Sequence, residues 1–230
     1  MNKKLIGLAG AMMLLANVSA QAQESKTFGL AGPFIGVGAT VSQMTEFNSD
    51  TDMGFGIGAE IGLDVSTPWD VILMPSLRYS NRRTKQSDGG SFGTALGGHS
   101  YSYEADFNFS YIDVPIRVGY ALDLGSVSLV PFVGPYLSYG LSGSSKATLN
   151  NSWGSGGSSG DMFKDNMKRF EIGYCLGARC DIMDVTLLKE DRYRQKLYLQ
   201  LEYDGSLNKL NENRDTKWRM ISLTVGLRGF

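Results

Sequence analysis

The stretch Phe55-Gly56-Ile57-Gly58-Ala59-Glu60-Ile61-Gly62-Leu63-Asp64-Val65 decides how the rest of the chain is read. Its odd positions are all apolar, and its even positions are glycine or carboxylate. A repeat of two is the mark of a β-strand whose faces meet different surroundings. The composition of the polar face is the informative part. A sheet turned toward bulk water carries Lys, Glu and Thr, whereas glycine weakens a strand unless something must approach the backbone closely. Gly56, Gly58 and Gly62 beside Glu60 and Asp64 therefore suit a narrow, polar interior, which leaves the apolar row to face outward.

Seven more windows repeat the pattern: Ile35 to Val41, Val71 to Tyr79, Ile112 to Leu122, Val127 to Leu141, Phe170 to Ile182, Leu197 to Tyr203 and Ile221 to Leu227. Together the eight apolar rows hold 44 positions and no charged residue, although one residue in five of the chain is charged and about nine would be expected there. The opposite rows and their immediate continuations hold eleven glycines and eleven charges. Missing side chains at those glycines make room for Phe132, Tyr136, Tyr198 and Met74 on the same face. Aromatic residues gather at one end of the apolar rows, namely Phe55, Tyr79, Tyr139, Phe170 and Tyr203, with Trp218 read as beginning the last strand in the same girdle. Such girdles belong at a membrane–water boundary.

Residues 1–22 have the features of a cleaved secretory signal, with Lys3 and Lys4 ahead of an apolar run from Leu5 to Val18 and small residues at Ala20 and Ala22. Residues 23–230 then form one domain, net −3 once the two signal lysines are removed, without the basic surplus that nucleic-acid binding needs. No later apolar run reaches the 18 residues that a membrane helix requires. The fold expected is an all-β, eight-stranded antiparallel up-and-down transmembrane β-barrel. A soluble lipocalin-like ligand-binding barrel is the competing architecture.

Short links at Ser66–Asp70 and Asp123–Ser126 alternate with long ones, as in outer-membrane barrels with periplasmic turns and external loops, which puts both termini in the periplasm. The segment from Met183 to Gln195 is long for a turn, and Leu187 to Arg192 would suit a short helix there. Ser142 to Gly160 reads as mobile, Ser/Gly-rich surface. Arg82, Arg83 and Lys85 read as a basic cluster in a loop, placed to meet lipopolysaccharide phosphates or simply to be solvated. Tyr101 to Tyr111 is apolar on odd positions and Ile112 onward on even ones, which calls for a bulge near Tyr111 or an aromatic hairpin beyond the membrane.

The candidate site is a charge network inside the barrel: Glu60, Arg78, Asp113, Arg117, Glu171, Arg179, Glu202 and Arg228, with Asp64, Asp181 and Asp204 on the same face. Eight strands leave a bore that side chains can fill, and charges there must pair or stay hydrated. Catalytic, cofactor and metal residues are not assigned. His99 is the sole histidine, and beside Ser100 and Glu104 in a glycine-rich segment it gives a weak hydrolase signal and no metal-ligand spacing. Cys175 and Cys180 lie about 16 Å apart along one strand, beyond the reach of a disulfide, so free thiols are expected.

The run Tyr111-Ile112-Asp113-Val114-Pro115-Ile116-Arg117, the first strand Phe34-Ile35-Gly36-Val37-Gly38 and the terminal Phe230 resemble the PorT-like small outer-membrane barrels of the Bacteroidota. Phe230 departs from the pattern by falling in phase with Gly226 and Arg228 rather than with the apolar row. The resemblance implies insertion by the barrel-assembly machinery, with outer-membrane lipid and lipopolysaccharide as surroundings. The function expected is non-enzymatic: structural, adhesive, or accessory to an envelope or secretion system through a protein partner. A lipid-modifying barrel enzyme is the alternative.

Overall fold

The computed structural model describes residues 29–46, 49–69, 71–94, 97–125, 127–151, 154–164, 167–185, 195–211 and 215–229. Eight strands follow one another around a closed ring: β1 Gly29–Glu46, β2 Asp52–Ser66, β3 Val71–Thr94, β4 Gly97–Tyr120, β5 Ser128–Asn151, β6 Phe170–Val185, β7 Gln195–Ser206 and β8 Lys217–Gly229. Each pairs antiparallel with its chain neighbour, and β8 closes on β1 through a run from Phe34 opposite Arg228 to Thr45 opposite Lys217. Closure removes the sheet edges that would otherwise present unpaired backbone groups to lipid. Each of the eight expected segments falls on one of these strands, with only Ala121, Leu122 and Val127 lying past the strand ends.

The faces sort as the alternation requires. Val37, Phe55 and Ile57 are each more than 60% exposed on the outside, as are Leu223, Ile116 and Leu137 to a lesser degree, while Glu60, Asp64, Arg78 and Tyr198 are buried within. An apolar exterior around a charged core is stable only with hydrocarbon outside. The soluble lipocalin-like reading is set aside for that reason. From Phe55 to Val65 the outward row of β2 spans about 33 Å along the strand, or about 25 Å along the membrane normal at a tilt near 40°, which matches an outer-membrane apolar band. Phe55, Tyr79, Tyr139 and Phe170 are exposed at its upper rim, and Trp69 and Tyr120 are exposed at the lower. Tyr203 sits in the same upper row with its ring 6.2 Å from that of Tyr174.

Glycines inside the wall admit rings. A Cβ at Gly36 or Gly226 would overlap the Tyr198 phenol, and one at Gly173 would overlap Tyr136. At the lower rim Gly125 takes φ +88° in the β4–β5 turn, a conformation L side chains avoid. The β2–β3 turn is equally tight, with Thr67 N donating to Val71 O at 2.9 Å. The helix expected at Leu187 to Arg192 lies outside the described residues, as do the signal segment and Phe230.

At the opposite rim two expectations change and a third is sharpened. The segments read as loops continue as sheet: β3 and β4 stay paired from Asn81–Ser110 out to Thr94–Gly97, and Gly154–Asp161 pairs with the end of β5. Ser142 to Gly160 is thus ordered hairpin in its described part, and a four-stranded sheet projects from the barrel. The hairpin expected beyond Tyr111 is present, and the register also shifts beside Tyr111, with the extra residue on the neighbouring strand: Ser110 faces Ser142 and Tyr111 faces Gly140, so Leu141 in β5 is the bulged residue. Odd residues of β4 point inward on both sides of Tyr111, and the apolar phase changes because the bore's filling changes from aromatic to charged. Trp218 is 1% exposed and points inward, because the outward row of β8 is odd-numbered and Trp218 is even.

Candidate functional site

The bore is filled in three levels. At the projecting-sheet end an aromatic cap of Phe109, Tyr111 and Trp218, with Met44, Met167 and Leu210, closes over the interior. Trp218 Nε1 donates to Tyr111 Oη at 3.3 Å, and the Phe109 and Trp218 rings meet edge to face at 5.4 Å. Met44, Phe109, Tyr111 and Trp218 are directed inward by the even-odd phase of their strands, and Met167 and Leu210 pack onto them from the connections.

Below the cap lies a continuous ion network contributed by five strands. Arg78 binds Asp113 Oδ2 (3.0 Å), Glu202 Oε1 (2.9 Å) and Asp204 Oδ2 (2.8 Å) through three different nitrogens. Arg82 binds Asp113 Oδ1 (2.8 Å) and Glu171 Oε2 (2.9 Å). Arg117 binds Glu202 Oε2 (2.7 Å) and also pairs with Glu60. Ser80 and Ser138 donate to the two oxygens of Asp113, and Tyr136 donates to Glu171. None of the eight charged residues is more than 4% exposed. Arginine suits this role because its planar, always-charged fork offers five donors to several acceptors at once. Arg82 also lies over the Tyr111 ring at 4.4 Å, which ties the network to the cap.

Near the short-turn end a second, smaller network forms. Arg179 grips Asp64 with both terminal nitrogens at 3.0 and 2.8 Å. Arg228 reaches Asp64 Oδ2 at 2.6 Å and Asp181 Oδ2 at 2.7 Å. Phe34, Met74, Phe132 and Tyr198 pack among these groups as an apolar cluster, with Arg179 5.7 Å from the Phe34 and Tyr198 rings.

Of the expected site residues, Glu60, Arg78, Asp113, Arg117, Glu171 and Glu202 come together in the upper network, and Arg179 and Arg228 fall in the lower one. Arg82, expected in the surface cluster, is instead fully buried and bridges two carboxylates, whereas its neighbours Arg83 and Lys85 are exposed. The signal that finds it is parity, since Arg78, Ser80 and Arg82 share the inward phase of β3.

Cys175, Glu202 and Asp204 bring potential ligand atoms within 4.8 Å of one another. The donor set does not fit a metal centre. Arg78 already holds both carboxylates, and the Cys175 thiol donates to Gly134 O at 3.3 Å. Both cysteines are free, Cys175 buried in the bore and Cys180 partly exposed on the outer face. The backbone of His99 and Ser100 belongs to the projecting part of β4, and their side chains lie outside the described residues.

A closed eight-strand ring with an apolar exterior, two aromatic girdles and a core of paired charges defines a small integral membrane β-barrel. Residues 8–228 match the outer membrane protein beta-barrel domain, and the chain belongs to that family. Comparison with curated proteins finds no match. Among solved structures, the chain is similar to Ail, the attachment invasion locus protein of Yersinia pestis, solved with the heparin analogue sucrose octasulfate, at 16% identity over 86% of this chain and 98% of Ail (TM-score 0.38). It is similar to Neisserial surface protein A at 15% identity over 87% and 97% (TM-score 0.39). The chain is an outer-membrane β-barrel protein.

Proposed function

We propose that this protein is a sealed, non-enzymatic membrane anchor that presents its projecting sheet at the cell surface, as a structural or adhesive element or as an accessory to an envelope or secretion system. The observation that carries the reading is the bore. A buried ion network lies directly under an aromatic cap, and neither can hydrate a passing ion without breaking pairs that cost several kcal/mol to separate. The short-turn end, where β1 begins and β8 finishes, is the periplasmic side, so both termini are periplasmic and the projecting sheet is external. Residues 1–22 are removed on export, and the barrel-assembly machinery inserts the rest. The PorT-like resemblance belongs to the same proposal, with an envelope or secretion protein as partner and outer-leaflet lipopolysaccharide as surroundings. The asymmetry of the two rims supports the orientation: exposed Arg83, Lys85, Lys146, Lys209 and Arg219 stand just beyond the upper aromatic girdle.

Planar-bilayer recording tests the sealed bore. The wild-type protein gives no steady single-channel steps. Large, reproducible steps would make it a pore. His99→Ala and Ser100→Ala leave any envelope phenotype unchanged, and loss of a lipid-hydrolysing activity in either variant would favour the enzyme alternative.

A further inference from the structure

The upper network is not neutral. The guanidiniums of Arg78, Arg82 and Arg117 face the carboxyl groups of Glu60, Asp113, Glu171, Glu202 and Asp204, three cations to five acids. The lower network sends no cation across the bore, since Arg179 and Arg228 are taken up by Asp64 and Asp181. Fully ionised, the upper network would hold two uncompensated negative charges between an aromatic cap and a hydrocarbon exterior. Buried groups escape that state by taking up a proton.

The five carboxyls are not equally served. Asp113 receives Arg78, Arg82, Ser80 and Ser138. Glu202 receives Arg78, Arg117 and Gln200. Glu171 receives Arg82 on both oxygens and Tyr136 on one, and Glu60 receives Arg117 and Ser76. Asp204 receives a single donor, Arg78 Nη2 at 2.8 Å on Oδ2, while its buried Oδ1 has none. The neighbouring strands hold no donor to spare. Opposite Asp204 on β6 is Cys175, whose thiol hydrogen goes to Gly134 O, and on β8 is Met220, whose thioether has no hydrogen to give. A Glu202 carboxyl oxygen lies within 4.8 Å of an Asp204 oxygen. Two acceptors at that range repel unless one of them carries a hydrogen.

We propose that Asp204 is a proton-binding site of the bore, a neutral carboxylic acid that donates from Oδ1 to Glu202, while Glu202 stays ionised between Arg78 and Arg117. The groups that face it set the sign. Glu60 on β2, Asp113 on β4, and Glu171 and Cys175 on β6 add no positive charge, and Tyr136 on β5 is spent on Glu171. Arg78 on β3 is shared among three carboxyls, and Arg117 on β4 is held by Glu60 and Glu202. At this level β1 and β8 present only neutral Thr40, Ser42, Met220 and Ser222. Loss of the proton sets two carboxylates against each other beneath the cap, so the site is an alkali-sensitive catch on the upper bore. The folded barrel keeps a proton that Asp204 in an unfolded, solvated chain has released at neutral pH. Stability therefore falls as pH rises, by up to about tenfold in the folding equilibrium per pH unit, until the folded state releases the proton too.

Infrared spectroscopy of the full barrel folded in lipid vesicles reads the proton directly, without any substitution. At neutral pH the wild type shows the C=O stretch of a neutral carboxylic acid, and the band moves when the aspartate side chains carry a heavy-carbon carboxyl. Asp204→Asn removes the band. Urea unfolding from about pH 5.5 to about pH 9, above the range of solvated carboxyls, reads the linkage. Wild-type stability falls with rising pH, whereas Asp204→Asn, whose amide supplies the missing donor, loses that slope and at least equals the wild type at the alkaline end. Asp113→Asn, at a carboxylate with four donors, keeps band and slope and loses stability throughout. Absence of the acid band in the wild type, a band that moves with labelled glutamate instead, or equal losses from Asn at positions 204 and 113 would overturn the site. The proposal rests on the sealed bore, and the two fail separately: channel steps refute the seal, while a silent barrel without the acid band refutes only the proton.

Discussion

Residues 71–79 and residues 83–89 belong to the same strand but not to the same solvent. In the lower stretch Val71, Leu73, Pro75, Leu77 and Tyr79 look outward, while Ile72, Met74, Ser76 and Arg78 are buried in the bore. In the upper stretch Arg83, Lys85 and Ser87 occupy the outward phase, and beyond Thr84 the residues on both faces lose their burial. The backbone is the same paired ladder throughout. Period-two patterning therefore reports the contrast between two environments, not the presence of a strand. Where lipid lies on one side and a packed bore on the other, the contrast is maximal. Where water lies on both sides, it vanishes.

The largest expected effect comes from two adjacent arginines on either side of that contrast. Arg82→Ala strands Asp113 and Glu171, both fully buried, and destabilises the barrel by about 3–5 kcal/mol, as does Arg117→Ala through Glu60 and Glu202. Arg83→Ala, one residue away and exposed, changes stability by about 0.5 kcal/mol or less. Urea unfolding in lipid vesicles measures both. Equal losses at positions 82 and 83 would show that the network is not the stabilising element.

Charge on the outer face comes next. Leu223→Arg or Ile116→Arg, near mid-band, costs about 2–4 kcal/mol, read as folded yield in vesicles. Thr148→Arg, exposed in the projecting sheet, costs about nothing. Equal tolerance at the two levels would place the apolar band elsewhere.

These contrasts explain what could be read in the chain and what could not. The eight barrel segments were legible because each carries an uncharged apolar row, and the opposite rows together hold the glycines and charges. The projecting sheet was not, because Ser142 to Gly160 and Gln86 to Gly90 have small or polar residues on both faces and look like loops. Within the bore, the phase of each strand selects the charged residues, and Arg82 follows from the inward phase of Arg78 and Ser80 although the outward apolar row ends at Tyr79. Trp218 looks like a girdle aromatic by residue type and rim position, but its even number puts it on the inward row of β8. The aromatic cap was hidden because Phe109 and Tyr111 look like outward residues of a shifted strand. Which charge meets which across the bore was beyond sequence, since it depends on the stagger of strands far apart in the chain, such as Arg78 with Asp204.

Smaller again is the effect of filling glycine positions. Gly173→Ala drives a methyl into Tyr136 and costs about 1–3 kcal/mol by overpacking. Gly157→Ala in the projecting strand, where the new methyl would meet only Ala147 O at 3.6 Å, shifts stability by about 0.5 kcal/mol or less. Thermal unfolding followed by β-sheet circular dichroism compares the pair, and a Gly173→Ala protein as stable as the wild type would mean that Tyr136 does not occupy the wall's gap.

The inverted arrangement itself is tested most directly by electrophoretic migration of the mature protein in detergent with and without boiling. The unheated protein is expected to run as a compact, faster species that converts to the slower unfolded band on heating, and to stay monodisperse only while detergent is present. A protein that shows one band under both conditions and remains monodisperse in plain buffer would contradict an apolar exterior and a charged interior.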